Sequence, residues 1–228
     1  MAPPRPYVLL SAAMSLDGRL DDASPERLLL SGPADFDRVD EERAGSDAVL
    51  VGGNTLRTDN PRLLVNDPLR RAARMAAGRP AHPLKVTLTA GGSLDAGLRF
   101  WHTGGDKLAY TTDTGARTLR PALDGLAEVV ALGAEVGLGA VLDDLGARGV
   151  RRLMVEGGSG VHTQFLAQGL ADELHLVIAP LLVGQDAAPR FVNPAAFPGG
   201  PARRMRLLEA RTVGDVVLLR YAPKESAP

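Results

Sequence analysis

Apolar runs of strand length alternate along the chain with stretches in which apolar residues recur at helical spacing. The apolar runs predict strands over residues 7–14, 47–51, 84–89, 108–112, 150–155 and 173–178. The helical spacing, with its capping and stop residues, predicts helices after Ser31, between Asn54 and Pro61, over 140–148 and over 161–168. Two further apolar segments, 204–210 and 215–221, predict an antiparallel hairpin around Val213-Gly214.

Strands that alternate with helices predict an α/β fold with a mostly parallel central sheet, helices on both faces and an antiparallel C-terminal edge. We expect a single domain over residues 1–228, with its core at about 7–221. The stretches 70–81 and 193–201 are poorer in periodic apolar residues. We therefore predict that both are surface excursions from this domain and not linkers.

Two predicted strands each run into adjacent glycines and then into a predicted helix. The first glycine corner is Gly52-Gly53 and the second glycine corner is Gly157-Gly158. A glycine lets the backbone approach a bulky ligand, and a helix start offers N–H groups and a positive dipole end to an anion. Two such corners predict a long, phosphate-bearing ligand such as a nucleotide cofactor. The P-loop and GxGxxG patterns are absent from the sequence, so a different binding scheme is expected.

Composition narrows the possible functions. The net charge of −1 gives no basic stripe for nucleic acid, and we interpret Arg70, Arg71 and Arg74 as a solvated helix face. The absence of cysteine excludes disulfides, thiolate nucleophiles and Cys-ligated metals, and the four scattered histidines predict no metal site. The proline-rich start is unlike a signal peptide and no apolar run reaches membrane-spanning length, so we expect a soluble, cytoplasmic protein without a membrane partner.

Single residues near the strand ends are candidates for chemistry. Glu156 lies at the C-terminal end of a predicted strand, where open α/β sheets bind ligands, although it could also be a helix N-terminal charge. Thr55 and Asp59 share one helix face and could contact a phosphate and a ribose, or cap a turn. Asp17 precedes a glycine and by pattern alone is a turn residue. Arg43 ends a predicted helix, where a cation is favourable without any ligand.

These motifs, in this order, resemble a known family. They are Ala13-Met14-Ser15-Leu16-Asp17-Gly18, Val51-Gly52-Gly53-Asn54-Thr55, Asp59-Asn60-Pro61-Arg62-Leu63, Val155-Glu156-Gly157-Gly158 and Asp172-Glu173-Leu174-His175-Leu176. The chain resembles the reductase domain of the riboflavin-biosynthesis deaminase-reductase (the RibD C-terminal family), within the dihydrofolate-reductase-like superfamily. The resemblance runs from about residue 7 to 221.

The resemblance implies an NADPH-dependent reduction of a ribosylaminopyrimidine 5′-phosphate, in which hydride transfer to C1 converts the ribose to a ribityl chain. It implies that Glu156 and Asp17 belong to the catalytic site and that family members are homodimers. Together with the two corners, it implies a cofactor-binding set of Ala13, Gly52, Gly53, Thr55, Asp59, Gly157, Gly158, Ser159, Gly160, Val161, His162, Thr163 and Gln164. The implied substrate-binding residues are Arg27, Arg43, Leu63 and Glu156.

Two positions depart from the family pattern. Bifunctional bacterial members often have a lysine where this chain has Ser11, so a proposed catalytic or phosphate contact is missing. They also have an arginine where this chain has Asn66, which weakens the case for a substrate phosphate at that position. Arg70 or Arg71 could compensate for the missing arginine. The zinc-deaminase signature is absent, which leaves the diamino-pyrimidinone and the deaminated uracil both open as substrates. A dihydrofolate or other pterin reductase is the alternative, followed by a non-catalytic NADPH-binding protein.

Overall fold

A computed structural model describes residues 3–24, 26–91 and 93–223. Its strands are β1 (Tyr7–Ser15), β2 (Ala48–Gly52), β3 (Leu84–Thr89), β4 (Lys107–Thr111), β5 (Glu128–Ala131), β6 (Arg152–Gly157), β7 (Glu173–Ala179), β8 (Arg206–Val213) and β9 (Val216–Ala222). Its helices are α1 (Pro33–Gly45), α2 (Gly53–Asp59), α3 (Pro68–Ala76), α4 (Arg99–His102), α5 (Asp113–Ala122), α6 (Leu138–Ala147) and α7 (Ser159–Ala167), with a 3₁₀ turn at Gly200–Ala202. Within the described residues the nine strands follow the order β5-β4-β3-β2-β6-β1-β7-β9-β8.

The chain divides into two compact units. Residues 3–6 and 40–154 form the first unit, and residues 7–39 and 155–223 form the second. The organisation of the whole chain as one domain therefore stays a prediction. Among the described residues, no helix is both long enough and apolar enough to cross a membrane.

The first unit contains four parallel strands, β5, β4, β3 and β2. Leu84 pairs with Ala48, and Val86 pairs with Leu108 on the opposite side. The apolar side chains of β2 are at most 1% exposed, which is typical of a strand that is covered on both faces. The continuous apolar run in the sequence was therefore a good indicator of this strand.

The second unit contains the antiparallel edge. β1 and β7 are parallel, whereas β9 runs antiparallel to both β7 and β8. A buried cluster fills this unit and consists of Leu30, Val177, Ala179, Val213, Val216 and Leu218. The mostly parallel sheet with an antiparallel C-terminal edge is confirmed, as is the C-terminal hairpin.

The stretch 70–81, which we expected to be a surface excursion, contains regular structure. Most of this stretch belongs to α3, which Asp67 caps through the amides of Leu69 (2.6 Å) and Arg70 (3.3 Å). Pro68 occupies the first turn, where its missing N–H costs nothing. The buried side of this helix was missed because its buried side chain is Arg74, at 4% exposure, and an apolar pattern cannot reveal a buried arginine.

Other sequence predictions were incomplete in similar ways. β5 and α5 were not predicted. Helix α5 contains Gly115 and Pro121, which lower its helical propensity, and it is capped by the Thr112 hydroxyl.

The buried face of α1 differs from the one that its apolar spacing indicates. The predicted apolar residue Phe36 is 47% exposed, while Asp35 and Arg38 are buried and form a 2.7 Å ion pair. A face of paired charges packs inward there, so apolar spacing did not identify it.

Candidate functional site

The first glycine corner joins β2 to α2 in the first unit. Gly52 is the extended cap residue and Gly53 begins the helix. A Cβ atom on Gly53 would lie 3.0 Å from Thr89 Cβ and 3.1 Å from the Leu88 carbonyl oxygen. The end of β3 therefore occupies the space that a side chain would need, and packing accounts for this glycine.

Helix α2 carries two of the predicted cofactor residues and ends as the sequence predicted. Thr55 and Asp59 are half-buried on it, and Asp59 accepts a hydrogen bond from the Thr58 hydroxyl (2.5 Å). Asn60 then adopts a left-handed conformation, with φ 43° and ψ 54°, and its N–H donates to the Leu56 carbonyl (3.2 Å). Asparagine tolerates this conformation better than most residues, so the Asn-Pro stop is confirmed.

The segment after α2 places two predicted substrate residues side by side. Leu63 is 3% exposed and has a φ of 48°, a conformation that strains a bulky residue. Arg43 reaches the same segment, because its guanidinium donates to the Leu64 carbonyl (3.2 Å). The structure thus brings Arg43 and Leu63 together within the first unit.

Lys85 supports this segment and was missed by the sequence analysis. Its side chain is fully buried, and its ammonium donates to the carbonyls of Arg62 (3.2 Å), Phe100 and Thr103 (2.7 Å). Burial lowers the pKa of Lys85 to about 7. The signal available in the sequence was a lysine inside the apolar run of a central strand.

The arginines of α3 bind within the first unit, which contradicts their interpretation as a solvated face. Arg70 contacts Asp40 (3.2 Å), and Arg71 donates to the carbonyls of Val65 (3.0 Å) and Asn66 (2.6 Å). Arg74 is buried and donates to three further carbonyls, those of Ala44, Ser46 and Pro80. These contacts fix the start and end of α3 and leave Arg70 and Arg71 poor substitutes for a substrate-binding arginine.

The second glycine corner joins β6 to α7 in the second unit and has a different geometry. Gly157 has a φ of 116° and Gly158 a φ of 80°, both in the region that favours glycine. A Cβ atom on Gly157 would lie 2.8 Å from Nε2 of His162. His162 is 1% exposed, and burial lowers its pKa to about 4, so the ring is neutral at pH 7. His162 is thus a buried packing group of this corner.

The first turn of α7 combines residues that the protein uses internally with one that faces open space. The Ser159 hydroxyl donates to the Arg190 carbonyl, and the Thr163 hydroxyl donates to the Ser159 carbonyl (2.6 Å). Gly160 is exposed, and a Cβ atom there would meet no atom within 4 Å. Since Gly158 has no side chain to cap the helix, this turn fits an anionic group that approaches Gly160 and the helix N-terminus.

The remaining predicted residues of the second unit lie on β6, on β1, on α7 and in the segment that precedes α1. Glu156 is half-buried and directly precedes the second glycine corner. Ala13 is half-buried on β1, opposite Val177 of β7. Arg27 is exposed in the irregular segment that precedes α1. Val161 is half-buried and Gln164 is exposed on α7.

Asp17 is exposed, and both of its carboxylate oxygens accept hydrogen bonds. Ser15 donates through its hydroxyl (2.6 Å), and the backbone amides of Val183 (3.0 Å) and Gly184 (2.7 Å) donate as well. These bonds, that from Ser15 foremost, hold the pKa of Asp17 well below its usual range. The turn role that the pattern favoured is therefore present, and Asp17 is a fixed acceptor with no proton to donate at neutral pH.

Comparisons with known proteins found a matching domain family and similar reductases. Residues 6–219 match the RibD C-terminal domain. The 2,5-diamino-6-ribosylamino-4(3H)-pyrimidinone 5′-phosphate reductase of Archaeoglobus fulgidus is 32% identical over 212 residues, which cover 92% of this chain and 95% of that protein.

Solved structures share the fold. A pyrimidine reductase-like protein from Corynebacterium diphtheriae superposes with a TM-score of 0.78 at 22% identity, over 95% of this chain and 91% of the other. Dihydrofolate reductase from Enterococcus faecalis superposes with a TM-score of 0.54 at 11% identity, over 95% of each chain. The dihydrofolate-reductase-like fold is confirmed, and the chain belongs to the RibD C-terminal domain family.

Proposed function

We propose that this chain is an NADPH-dependent reductase that converts a 2,5-diamino-6-ribosylamino-4(3H)-pyrimidinone 5′-phosphate to its ribitylamino form. The observation that carries the proposal is the similarity, over nearly the full length of both chains, to the Archaeoglobus fulgidus enzyme of that name. The name of that relative also favours the diamino-pyrimidinone over the deaminated uracil, between which the sequence alone did not decide.

The first turn of α7 supports the cofactor part of the proposal. Bound NADPH supplies the hydride for reduction of the ribose C1. The exposed Gly160 allows a phosphate group to approach the helix backbone, and the positive end of the helix dipole stabilises its charge. Ser159 and Thr163 use their hydroxyls within the protein, so we expect their contribution to come from backbone amides.

Glu156 is our candidate for proton transfer. It lies at the end of β6, half-buried, immediately before the corner that leads into α7. Reduction of an open-chain ribosylamine requires a proton at the ribose oxygen or at the imine nitrogen, and a carboxyl group can supply or relay it. Arg27, with its exposed side chain, is the cation that we propose for the substrate phosphate, because Arg70 and Arg71 bind other groups.

The test is the rate of NADPH oxidation by the purified protein with each of three substrates: the diamino-pyrimidinone phosphate, the deaminated uracil phosphate and dihydrofolate. We expect turnover with the diamino compound. Turnover of dihydrofolate alone would reject the proposal and identify a pterin reductase. Oxidation of none of the three, with NADPH still bound, would support a non-catalytic NADPH-binding protein.

A substitution tests the role of Glu156. We expect Glu156→Gln to lower kcat by about 10²-fold or more, the usual contribution of a general acid, while the Kd for NADPH changes little. Glu135→Gln is the matched control, since Glu135 is an exposed carboxylate outside the regular elements. A kcat of Glu156→Gln equal to that of the control would remove Glu156 from the mechanism.

We further expect a homodimer in the cytoplasm, as for other family members. Sedimentation equilibrium of the purified protein tests the first expectation. A single species of monomer mass over the micromolar range would contradict it.

A further inference from the structure

An irregular segment, residues 181–193, follows β7 in the second unit and is held along most of its length. We call it the strap. Most of its side chains are exposed; Ala188 is buried at 3% exposure, and Leu181, Val183, Phe191 and Val192 are half-buried. Because only part of its apolar surface is buried, hydrogen bonds contribute strongly to its position. Those bonds lead to two of the predicted functional regions.

On one side the strap binds the turn that follows β1. Asp17 accepts from the amides of Val183 and Gly184, and its two oxygens each take one of these bonds. Arg19 donates to the Ala188 carbonyl (2.8 Å) near the other end of the strap. Backbone bonds complete the contact: Leu16 to Leu181 (2.9 Å), Leu20 to Pro189 (2.8 Å) and Phe191 to Gly18 (3.0 Å).

On the other side the strap binds the first turn of α7. The Ser159 hydroxyl donates to the Arg190 carbonyl, and the Thr163 hydroxyl accepts from the Asn193 amide (2.8 Å). The ring of Phe191 lies 5.6 Å from that of His162, centroid to centroid. The strap therefore connects the turn that carries Asp17 to the turn in which we place the cofactor phosphates.

We propose that Asp17 is a positioning residue, which fixes the strap and through it the first turn of α7. It is not a catalytic residue in this assignment. Its carboxylate is occupied by three donors, and two of them belong to the strap. The part of the proposal that concerns cofactor binding rests on the proposed function, whereas the coupling between Asp17 and α7 does not.

The coupling is tested by amide hydrogen exchange of the protein without ligands. Asp17→Ala removes the acceptor at one end of the strap, and Arg19→Ala removes the donor near the other end. In both variants we expect the amides of residues 159–163 to exchange faster by about tenfold or more, the effect of losing one or two hydrogen bonds. Asp95→Ala is the control, because the exposed Asp95 carboxylate accepts from the amide of Gly97 (2.8 Å) in the first unit, whereas the strap belongs to the second unit.

Kinetics with NADPH then separate positioning from catalysis. For Asp17→Ala and Arg19→Ala alike, we expect the KM for NADPH to rise by about tenfold while kcat stays within about threefold. Asp17→Asn keeps one acceptor oxygen, so its KM is expected between the wild-type and Asp17→Ala values. This conservative variant also provides the test if Asp17→Ala does not fold.

Two results would overturn the proposal. The first is exchange at residues 159–163 that stays at the wild-type rate in both strap variants. The second is a large loss of kcat in Asp17→Ala alone, with Arg19→Ala unchanged, which would make Asp17 catalytic. If the wild-type protein oxidises no NADPH with any substrate, the proposed function fails, and faster exchange in both variants still supports the strap.

Discussion

At the first glycine corner the hydrogen of Gly53 points at the end of β3, where Thr89 and Leu88 leave no room for a side chain. At the second corner Gly157 instead has a left-handed backbone and lies against the buried ring of His162, while Gly160, in the first turn of α7, faces open space. Both corners read as strand, glycine pair and helix in the sequence. The glycines are nevertheless needed for three different physical reasons: close packing, backbone conformation and access.

This difference shows which glycine to test for a ligand. A glycine in a helix costs up to about 1 kcal/mol relative to alanine, so its presence calls for a reason. Gly53 and Gly157 have structural reasons within their own units. At Gly160 no such reason is found among the described residues, and a ligand that needs the space explains it best.

The largest expected effect is that of Gly157→Ala. Alanine at a φ of 116° is strained, and its Cβ would meet His162 at 2.8 Å. We expect a loss of about 4 kcal/mol in the free energy of unfolding, the sum of backbone strain and overpacking. Urea denaturation measures it. In the double variant Gly157→Ala, His162→Ala the loss should be smaller than the sum of the two single losses, and additive losses would exclude the contact as a cause.

We expect acid to destabilise the protein through protonation of His162 at the second glycine corner. The pKa of His162 is about 4 in the folded protein and about 6.5 when unfolded, so the unfolded state binds more protons in between. The contribution of neutral His162 to the free energy of unfolding is therefore fully present above pH 6.5. It is lost as the pH falls towards 4, by about 3 kcal/mol in total at about 1.4 kcal/mol per pH unit. Thermal unfolding from pH 7 to pH 4 measures this, with His162→Met as the comparison. An equal slope in that variant would assign the acid sensitivity to other groups.

Gly53→Ala should have a moderate effect, because packing is its only obstacle. We expect a loss of about 1–2 kcal/mol, since the nearest atoms are a Cβ and a backbone oxygen that cannot rotate away. Urea denaturation of Gly53→Ala and Gly157→Ala under the same conditions measures both losses. A loss as large as that of Gly157→Ala would show that the two corners do not differ in the way that their geometry indicates.

Gly160→Ala should have the smallest effect on stability, and of opposite sign. We expect a gain of about 0.5–1 kcal/mol from helix propensity, together with a higher KM for NADPH because the new methyl group fills the open space. Gly45→Ala, at the end of α1, is the control: its Cβ would also meet no atom within 4 Å. If both variants leave the KM unchanged, the first turn of α7 does not hold the cofactor.

Much of the fold could be predicted from local patterns. The apolar runs of β2, β3 and β7 indicated buried strands, and Asn60-Pro61 correctly ended α2. The buried side of α3 could not be predicted in this way, because its buried residue is an arginine that donates to carbonyls distant in sequence. Lys85 was missed for the same reason, since its acceptors lie in segments that only folding brings to β3.

In the candidate site, too, the sequence identified residues but not their tertiary partners. The family motifs identified Asp17, Ser159 and Thr163 as residues of interest, yet their side chains bind the strap. The bond between Asp17 and Val183 joins residues that are 166 positions apart. A pattern of neighbouring residues contains no information about such a partner.

The sequence by itself determined the α/β class, the positions of most strands along the chain, the two glycine corners and the resemblance to a reductase family. These follow from periodicity, turn residues and motif spacing, which are properties of neighbouring residues. Only the tertiary structure decided which glycine packs against a strand, which is held in a left-handed conformation and which faces open space. The reason is that the atoms around Gly53 and around the buried Arg74 come from residues distant in the chain, and the ring that meets Gly157 comes from the following helix; these groups become neighbours only after folding.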